Sequence, residues 1–524
     1  MTVVPSCGVP ARRPSAEASP GESNRLLTIV LSTVVLVALA GAARLMLWFW
    51  PGSFFVGIKS NIWTALAWNL AHGEFYRPAL GPAGYGGTRW MPLFFVAHGL
   101  LIRAHVDPIH AGVLLMQTSV AAAALALFAA LRAGGVPIRL AVPLAGTTWG
   151  TVLYQQSTAE LNADFLAAAF AMAGAGVAFG GSQSKGRMRL VIAGAACVLA
   201  GLTKVTAVLF VVPIAVWIWS AGRRAQGVQL AIGSGACFAL AIATIQSLSA
   251  GRFLESFRAT MTAGMTAADV RDALPNLGWQ LMNKPFDVAI PFAVACWFSF
   301  RWAWRRQQSW VGAYFLAAAL VTLAIFATPG TVSNHLVDLQ MASTLVIGVA
   351  LARGEIPARA AIPAYAALAA IVAAMSWPVR GIPSVLATFR KDGPRQREVV
   401  RAIHDEFLPP GTRYLSIDPI IPVLNGERPF LLDFFNLQLF LREGTPAGRD
   451  LEERVRRRFF QVVVLRDSSE FPHDMNAGDP AFADACTRYW ASQREALVRV
   501  FQSAYEIRAV RKPFVILTPS HDEF

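Results

Sequence analysis

The sequence predicts an α-helical polytopic membrane protein with about 11–13 transmembrane helices and a small C-terminal α/β extramembrane domain. Three observations carry this. Of the 524 residues, 55% are hydrophobic and 15% charged, where a soluble chain carries roughly 25% charged residues. Apolar runs of membrane-spanning character follow one another from residue 26 to residue 377. Beyond them the chain turns polar, with short β-rich runs alternating with amphipathic stretches over a length sufficient to bury a core of its own.

The formal charge of +14 belongs to the apolar part. Residues 1–394 hold 28 Lys and Arg against 13 Asp and Glu, whereas residues 395–524 hold 18 against 19. A nucleic-acid binder would gather its basic residues into a stripe interleaved with aromatics. Here they form short clusters between apolar runs, which is the pattern of a multi-pass membrane chain and excludes that class. Cys197, Cys237 and Cys296 lie in apolar runs and Cys7 near the N-terminus. Cys486 stands alone in the polar part, so no disulfide forms within that domain, and no zinc-type spacing occurs.

Taken in order, residues 1–24 are rich in Pro, Ser, Gly and Arg and read as a disordered cytoplasmic tail. Leu26 to Trp50 is too long for a signal-peptide core and suits a first crossing. Apolar runs then follow at about 109–131, 139–153, 161–180, 190–202, 205–220, 228–248, 286–304, 310–328, 336–352 and 360–377, which makes about eleven crossings. The basic clusters are Arg132 with Arg139, Lys185 with Arg187 and Arg189, Arg223 with Arg224, Arg301 with Arg305 and Arg306, and Arg353 with Arg359. Two crossings separate each cluster from the next, so all can stay on the cytoplasmic side. The transmembrane part is then 25–379, with outer loops at 51–108 and 249–285 and a periplasmic domain at 380–524. This requires the short run 90–103, which contains Pro92, to be re-entrant or interfacial; were it to span, the basic clusters would face outward. In the C-terminal domain Arg413–Ile417, Phe460–Leu465 and Phe514–Leu517 read as strands, and 396–407 and 481–500 as amphipathic helices. No repeat of fixed period appears, which counts against solenoids.

Charged groups in hydrocarbon are costly and tend to be functional, so chemistry is sought at the ends of apolar runs. Glu160 and Asp164 are four apart, on one helical face at an outer helix start; two such carboxylates suit a general base or a cation, or simply favour the helix N-terminus. Lys204, in the segment Gly201 to Thr206, suits a lipid phosphate, or a packing partner for Glu160 or Asp164. The Gly-rich stretch Gly84 to Leu93, with Arg89, lets backbone approach a ligand, while Arg89 alone is equally a lipid anchor. His335 and Asp338 follow an outer turn and either orient an acceptor hydroxyl or cap a helix.

Taken together, the segments Ala67-Trp68-Asn69-Leu70-Ala71-His72-Gly73 with Tyr76, Arg89 to Leu93, Glu160 to Asp164, Gly201 to Lys204 and Asn334 to Asp338 resemble the GT-C type of membrane glycosyltransferase. That group contains protein mannosyltransferases and aminoarabinose transferases that use polyprenyl-phosphate sugars. The resemblance spans nearly the whole chain and includes Tyr414 to Pro419 and Asn425 to Asp433, which look like the extramembrane domain of bacterial members. It implies a GT-C-like fold in a bacterial inner membrane and transfer of a sugar from a polyprenyl-phosphate donor to a hydroxyl acceptor at the periplasmic face, with inversion. By the same resemblance Asp164, Glu160 and Glu74 are the candidate catalytic carboxylates, and Lys204, Arg89 and Lys59 the phosphate-binding cations. His335, Asp338, Asn334 and Tyr154 are candidates for holding sugar or acceptor. No metal ligand is assigned, and participation of a divalent cation is left open. One departure stands out. These enzymes usually carry an acid in the first outer loop ahead of the position matched by Ala67, and here Lys59, Ser60 and Asn61 occupy that stretch. A catalytically silent homologue that binds a lipid-linked glycan is therefore one alternative, and a transporter using Glu160, Asp164, Lys204 and Asp338 is another.

Overall fold

The structure is a computed structural model that describes residues 20–49, 58–147, 160–180, 186–261, 267–305, 309–328, 331, 333–376, 396–466, 500–501, 503–511 and 514–520. Most of the tail, Tyr154 and nearly all of the amphipathic stretch 481–500 fall outside those residues. The first helix, α1 (Pro20–Phe49), already begins inside the segment read from sequence as a tail. It is followed by α2 (Ile58–Ala71), a two-residue hairpin of β1 (Leu80–Gly81) and β2 (Gly84–Tyr85), and α3 (Pro92–Arg103). Then come α4 (Pro108–Ala133), α5 (Ile138–Gly146), α6 (Asp164–Phe179) and α7 (Gly186–Thr203). A 3₁₀ turn at Val205–Phe210 leads into α8 (Val211–Ser220), then α9 (Arg224–Leu248), α10 (Arg252–Met261) and α11 (Ala267–Met282). A π turn at Pro285–Ala289 precedes α12 (Ile290–Trp304) and α13 (Trp310–Phe326). A second 3₁₀ turn, Ser333–Leu336, opens α14 (Val337–Ala352), and α15 (Ala358–Ser376) completes the bundle.

Six helical stretches among the described residues are long and apolar enough to cross a membrane: Arg25–Ala43, Pro108–Ala133, Gly186–Thr203, Arg224–Leu248, Phe286–Trp304 and Ser333–Ala352. Shorter apolar helices, including Asp164–Phe179, Val205–Ser220 and Trp310–Phe326, pack between them. In lipid the apolar effect does not distinguish neighbour from solvent, so close approach of backbones does much of the holding. Gly176 on α6 shows it: a Cβ there would sit 3.2 Å from the Ala130 nitrogen of α4. The helix lining the middle of the bundle is α14, whose span is 78% buried, whereas α9 at the periphery is 17% buried.

Alternation of helix direction gives the bundle two unlike ends. At one, Glu355 receives the Trp302 indole N–H at 3.0 Å and lies near Arg301 and Arg353, and the Gly186 start of α7 meets Arg223. Following the helices from there places Arg132, Arg139, Arg187, Arg189, Arg224, Arg305 and Arg359 at this same end. The opposite end carries the C-terminal domain. Helix α3 begins beside α2, with Trp90 stacked on Trp63 at 4.1 Å. The turn after it brings Asp107 within 2.7 Å of Arg397 in the domain's first helix. Both ends of α3 thus lie on the domain side, and its 12 residues, about 18 Å of helix, dip in without adding a crossing.

The domain opens with α16 (Gln396–Phe407) and continues through β3 (Tyr414–Ser416), α17 (Ile420–Leu424), α18 (Phe434–Arg442), α19 (Pro446–Arg456), β4 (Val462–Arg466), β5 (Tyr505–Arg511) and β6 (Phe514–Pro519). Its sheet has the order β3-β4-β6-β5, with β3 parallel to β4 and the other pairs antiparallel. Strand β5 escapes the sequence pattern because it is an edge strand, largely exposed and carrying Glu506, Arg508 and Arg511. The Gly-rich segment after β2 docks on this domain. Tyr85 bridges Leu431, its N–H donates to the Phe430 carbonyl at 2.7 Å, and the Asn436 amide donates to the Gly87 carbonyl at 2.8 Å. The glycines therefore let backbone meet backbone rather than ligand, a correction to the sequence reading: a Cβ on Gly84 would collide with the Phe430 carbonyl, and its φ is +102°.

Two outcomes are expected. With single cysteines introduced into a cysteine-free chain, Glu453→Cys reacts with a membrane-impermeant thiol reagent in intact spheroplasts and Arg224→Cys only after lysis; the reverse pattern would invert the topology. Gly84→Ala costs about 1–3 kcal/mol, seen as a lower melting temperature of the detergent-solubilised chain. Gly278→Ala, whose Cβ meets open space, does not.

Candidate active site

At the domain end of the bundle, breaks in three helices converge. Helix α6 starts at Asp164, which places its carboxylate at the positive helix N-terminus. Helix α7 stops at Thr203, and Lys204 takes an extended conformation (φ −150°, ψ 116°) before the 3₁₀ turn resumes, so its side chain leaves the helix line and reaches α6. The 3₁₀ turn that opens α14 supplies Asn334 and His335. Asp164 is the common partner. Its Oδ1 accepts from Lys204 Nζ at 2.6 Å and lies 3.1 Å from His335 Nδ1, and its Oδ2 accepts from the Asn334 amide at 2.6 Å. Lys204 Nζ is also 3.0 Å from His335 Nδ1. One nitrogen cannot donate to Asp164 and accept from Lys204 at once, so the ring has two alternative tautomers here, and in both it is Nδ1 that faces Asp164 and Lys204.

Exposure ranks the groups: the Asp164 side chain is 6% exposed, Lys204 14% and His335 23%. The carboxylate is the buried anchor and the imidazole is the part presented to the outside. A fourth element joins through α2. Lys59 Nζ donates to the Asn162 side-chain oxygen at 2.9 Å, and Ser60 Oγ accepts from the Leu161 N–H at 2.7 Å. The first outer loop therefore brings a cation to Asp164, within electrostatic reach of it, at the stretch where the resembled family carries an acid.

Of the residues singled out from sequence, the structure thus gathers Asp164, Lys204, His335, Asn334 and Lys59. Others lie apart from this hydrogen-bonded group. Glu160 sits in a bend before α6 begins, so it does not share a helical face with Asp164; the four-residue spacing holds only in a helix, and the helix starts at Asp164. Glu74 is held bidentately by Arg77 at 3.0 and 2.6 Å, and the buried Arg77 also donates to the Pro429 carbonyl, tying the outer loop to the domain. Arg89 faces Asp433 at the same junction; burial pushes the Asp433 carboxyl up to about 6, with Arg89 opposing the shift. Asp338 is buried one turn further along α14, within electrostatic reach of Lys204, and its Oδ1 has no hydrogen-bond partner among the described residues. The Ala67-to-Gly73 motif is the C-terminal end of α2, where Gly73 (φ +86°) accommodates the turn that stops the helix.

No group of three or more His, Cys, Asp or Glu among the described residues has the geometry of a metal site. The donor set around Asp164, an ammonium and a carboxamide, fills the positions a cation would need and suits an anion beside it instead. Sequence reasoning missed Ser60, Asn61 and Asn162, which act through neighbours far away along the chain.

No protein-family model matches the chain, and no curated protein sequence matches it. Solved structures do. The archaeal oligosaccharyltransferase AglB from Archaeoglobus fulgidus, in complex with an inhibitory peptide and a dolichol-phosphate, aligns over 95% of this chain and 75% of its own, with a TM-score of 0.51 and 12% identity. ArnT from Cupriavidus metallidurans, bound to undecaprenyl phosphate, aligns over 96% of this chain and 99% of its own, with a TM-score of 0.51 and 12% identity. The chain has the GT-C fold. Alignment of ArnT over nearly its full length means that bundle and C-terminal domain are matched together. Within this GT-C fold, the Asp164 cluster occupies the end of the bundle that faces the domain.

Breaking the central pair should be costly. Removing one partner of a buried ion pair costs about 3–5 kcal/mol, so Asp164→Ala is expected to lower the unfolding temperature sharply. Asp164→Asn combined with Lys204→Met should cost less than the sum of the two single changes. Additive effects in thermal unfolding would show that the two groups are not coupled.

Proposed function

We propose that this protein transfers a sugar from a polyprenyl-phosphate donor to a hydroxyl acceptor at the outer face of a bacterial inner membrane, the face that carries the C-terminal domain. The observation that carries the reading is the Lys204 ammonium, fixed by Asp164 beside His335 at the mouth of the bundle with Lys59 nearby. Lys204 and Lys59 bring two ammonium groups to the neighbourhood of Asp164, and the shared fold includes proteins bound to dolichol-phosphate and undecaprenyl phosphate. Preorganised cations at a departing phosphate stabilise the charge that develops there without reorganisation.

In this reading the acceptor oxygen attacks the anomeric carbon as the bond from that carbon to the phosphate oxygen breaks. The carbon inverts in a single displacement. Polyprenyl phosphate leaves with the bonding electrons, held by Lys204 and Lys59, and the hydroxyl proton passes to His335 Nε2, which is unprotonated in the tautomer whose Nδ1–H donates to Asp164 Oδ1. His335 replaces Asp164 and Glu160 as the base because both Asp164 oxygens already accept hydrogen bonds, Glu160 lies outside the hydrogen-bonded cluster, and the imidazole is the most exposed of the bonded groups. Asp164 holds the ring and the ammonium in place. Asn334 and Asp338, each with a buried oxygen that has no partner among the described residues, offer acceptors to sugar hydroxyls.

Membranes holding the full chain, supplied with a panel of undecaprenyl-phosphate-linked pentoses and hexoses, test this. Lys204→Ala is expected to lower transfer by roughly 10²–10³-fold and His335→Asn by roughly 10²–10⁴-fold. Unchanged transfer in both variants would end the assignment. The lysine in place of the first-loop acid favours a second reading, a silent binder of lipid-linked glycan. Retention of the donor by the wild type without turnover would identify it. A transporter would gather such groups near the bilayer midplane, whereas these sit at one end of the bundle.

A further inference from the structure

We infer that the C-terminal domain sets the geometry of the site through the first turn of α2, with Asn61 as the positioning residue and the Asp418–Arg466 pair as its anchor. Three consecutive side chains of that turn grip three different groups. Asn61 Nδ2 donates to Asp418 Oδ2 at 2.9 Å, Ser60 Oγ accepts from the Leu161 N–H at 2.7 Å, and Lys59 Nζ donates to the Asn162 oxygen at 2.9 Å. The first grip faces the domain. The other two face the short segment that leads into Asp164.

The anchor is rigid for reasons visible around it. Asp418 follows β3 and caps the start of α17, its Oδ1 accepting from the Ile420 N–H at 3.1 Å, while its carbonyl accepts from Ser416 Oγ at 2.6 Å. Arg466, the last residue of β4, donates to Asp418 Oδ2 at 2.9 Å. Both side chains are buried, Asp418 fully, and Asn61 is fully buried too. Burial alone raises the Asp418 carboxyl, and Arg466 and Asn61 work against that rise. Apolar residues of similar volume often fill such a space at no loss of stability, and this buried polar link serves instead to enforce one arrangement. Here the arrangement relates the ends of two adjacent parallel strands to one helical turn, and that turn to the residues before Asp164. A shift of the domain moves Asn61, and with it Ser60 and Lys59, which carry Leu161 and Asn162.

The coupling rests on geometry alone; its consequence for phosphate binding rests on the reading of Lys59 given above. Hydrogen exchange measured by mass spectrometry on the full detergent-solubilised chain tests the first. Asn61→Ala leaves Asp418 paired with Arg466, so β4 and β6 should keep their wild-type exchange while residues 160–164 exchange roughly tenfold faster, the loss of about one hydrogen bond. Ser60→Ala should reproduce the change at 160–164 without touching the domain. Asp418→Asn should speed exchange at 160–164 as Asn61→Ala does and, because it leaves buried Arg466 without its counter-charge, speed exchange at β4 as well; if that variant fails to fold, Asn61→Ala still decides. Unchanged exchange at 160–164 in Asn61→Ala overturns the coupling. Undecaprenyl phosphate binding is the second arm, with an expected affinity loss of roughly tenfold in Asn61→Ala, about 1.4 kcal/mol. A wild-type chain that does not bind undecaprenyl phosphate defeats the lipid-phosphate reading of the site and leaves the exchange result standing. Wild-type binding matched by Asn61→Ala defeats the positioning role.

Discussion

A carboxylate placed among apolar helices must be neutralised where it stands, and the Asp164–Lys204 pair meets that requirement at 2.6 Å. The rest of the site follows from it. Lys204 reaches Asp164 only because α7 ends at Thr203 and the chain extends for one residue before the 3₁₀ turn. Asn334 and His335 reach it only because α14 is preceded by a 3₁₀ turn rather than another turn of α-helix. One helix interruption at Lys204 and two helix starts, each leaving polar groups unsatisfied alone in an apolar bundle, are tolerated because they satisfy one another's polar groups.

The same economy shapes the outer end. The loop between α1 and α4 is a layer of short helices and a hairpin, fixed to the C-terminal domain by Arg77, Tyr85 and Gly87 and to the bundle by Ser60 and Lys59. In this arrangement the domain is hydrogen-bonded to the turn of α2 that also holds Leu161 and Asn162, and the alignment to ArnT spans bundle and domain alike.

Much of this was legible in the sequence because bilayers impose simple rules. Apolar length located the helices, and basic clusters sorted one end of the bundle from the other. Short β-rich runs between polar stretches located β3, β4 and β6. The polar breaks in apolar runs pointed at Asp164, Lys204 and Asn334–His335, since charge in hydrocarbon rarely survives without a purpose. What escaped did so for physical reasons. Strand β5 alternates apolar and charged residues, Tyr505-Glu506-Ile507-Arg508-Ala509, so it has no β-rich apolar run of the kind that marked the other strands. Gly84 looked suited to a ligand because a glycine reports only that something comes close, and here it is the Phe430 backbone. The pairing of Glu160 with Asp164 assumed a helix that begins four residues too early. Asn61 and Asp418 are 357 residues apart, and no local pattern marks two such side chains as partners.

The far end of α12 has a consequence for how the molecule rides in its bilayer. Trp304 is 91% exposed, Trp297 66%, and Arg301 and Arg305 lie between and beside them. Indole and guanidinium together settle at the headgroup level, so the Trp304 end of this helix pins the molecule's immersion depth from the side opposite the Asp164 cluster. With one surface pinned, a change in hydrocarbon thickness is absorbed at the other, by tilt or by raising and lowering lipid around the mouth. Membrane thickness thereby sets the depth at which Lys204 lies relative to the headgroups on that side.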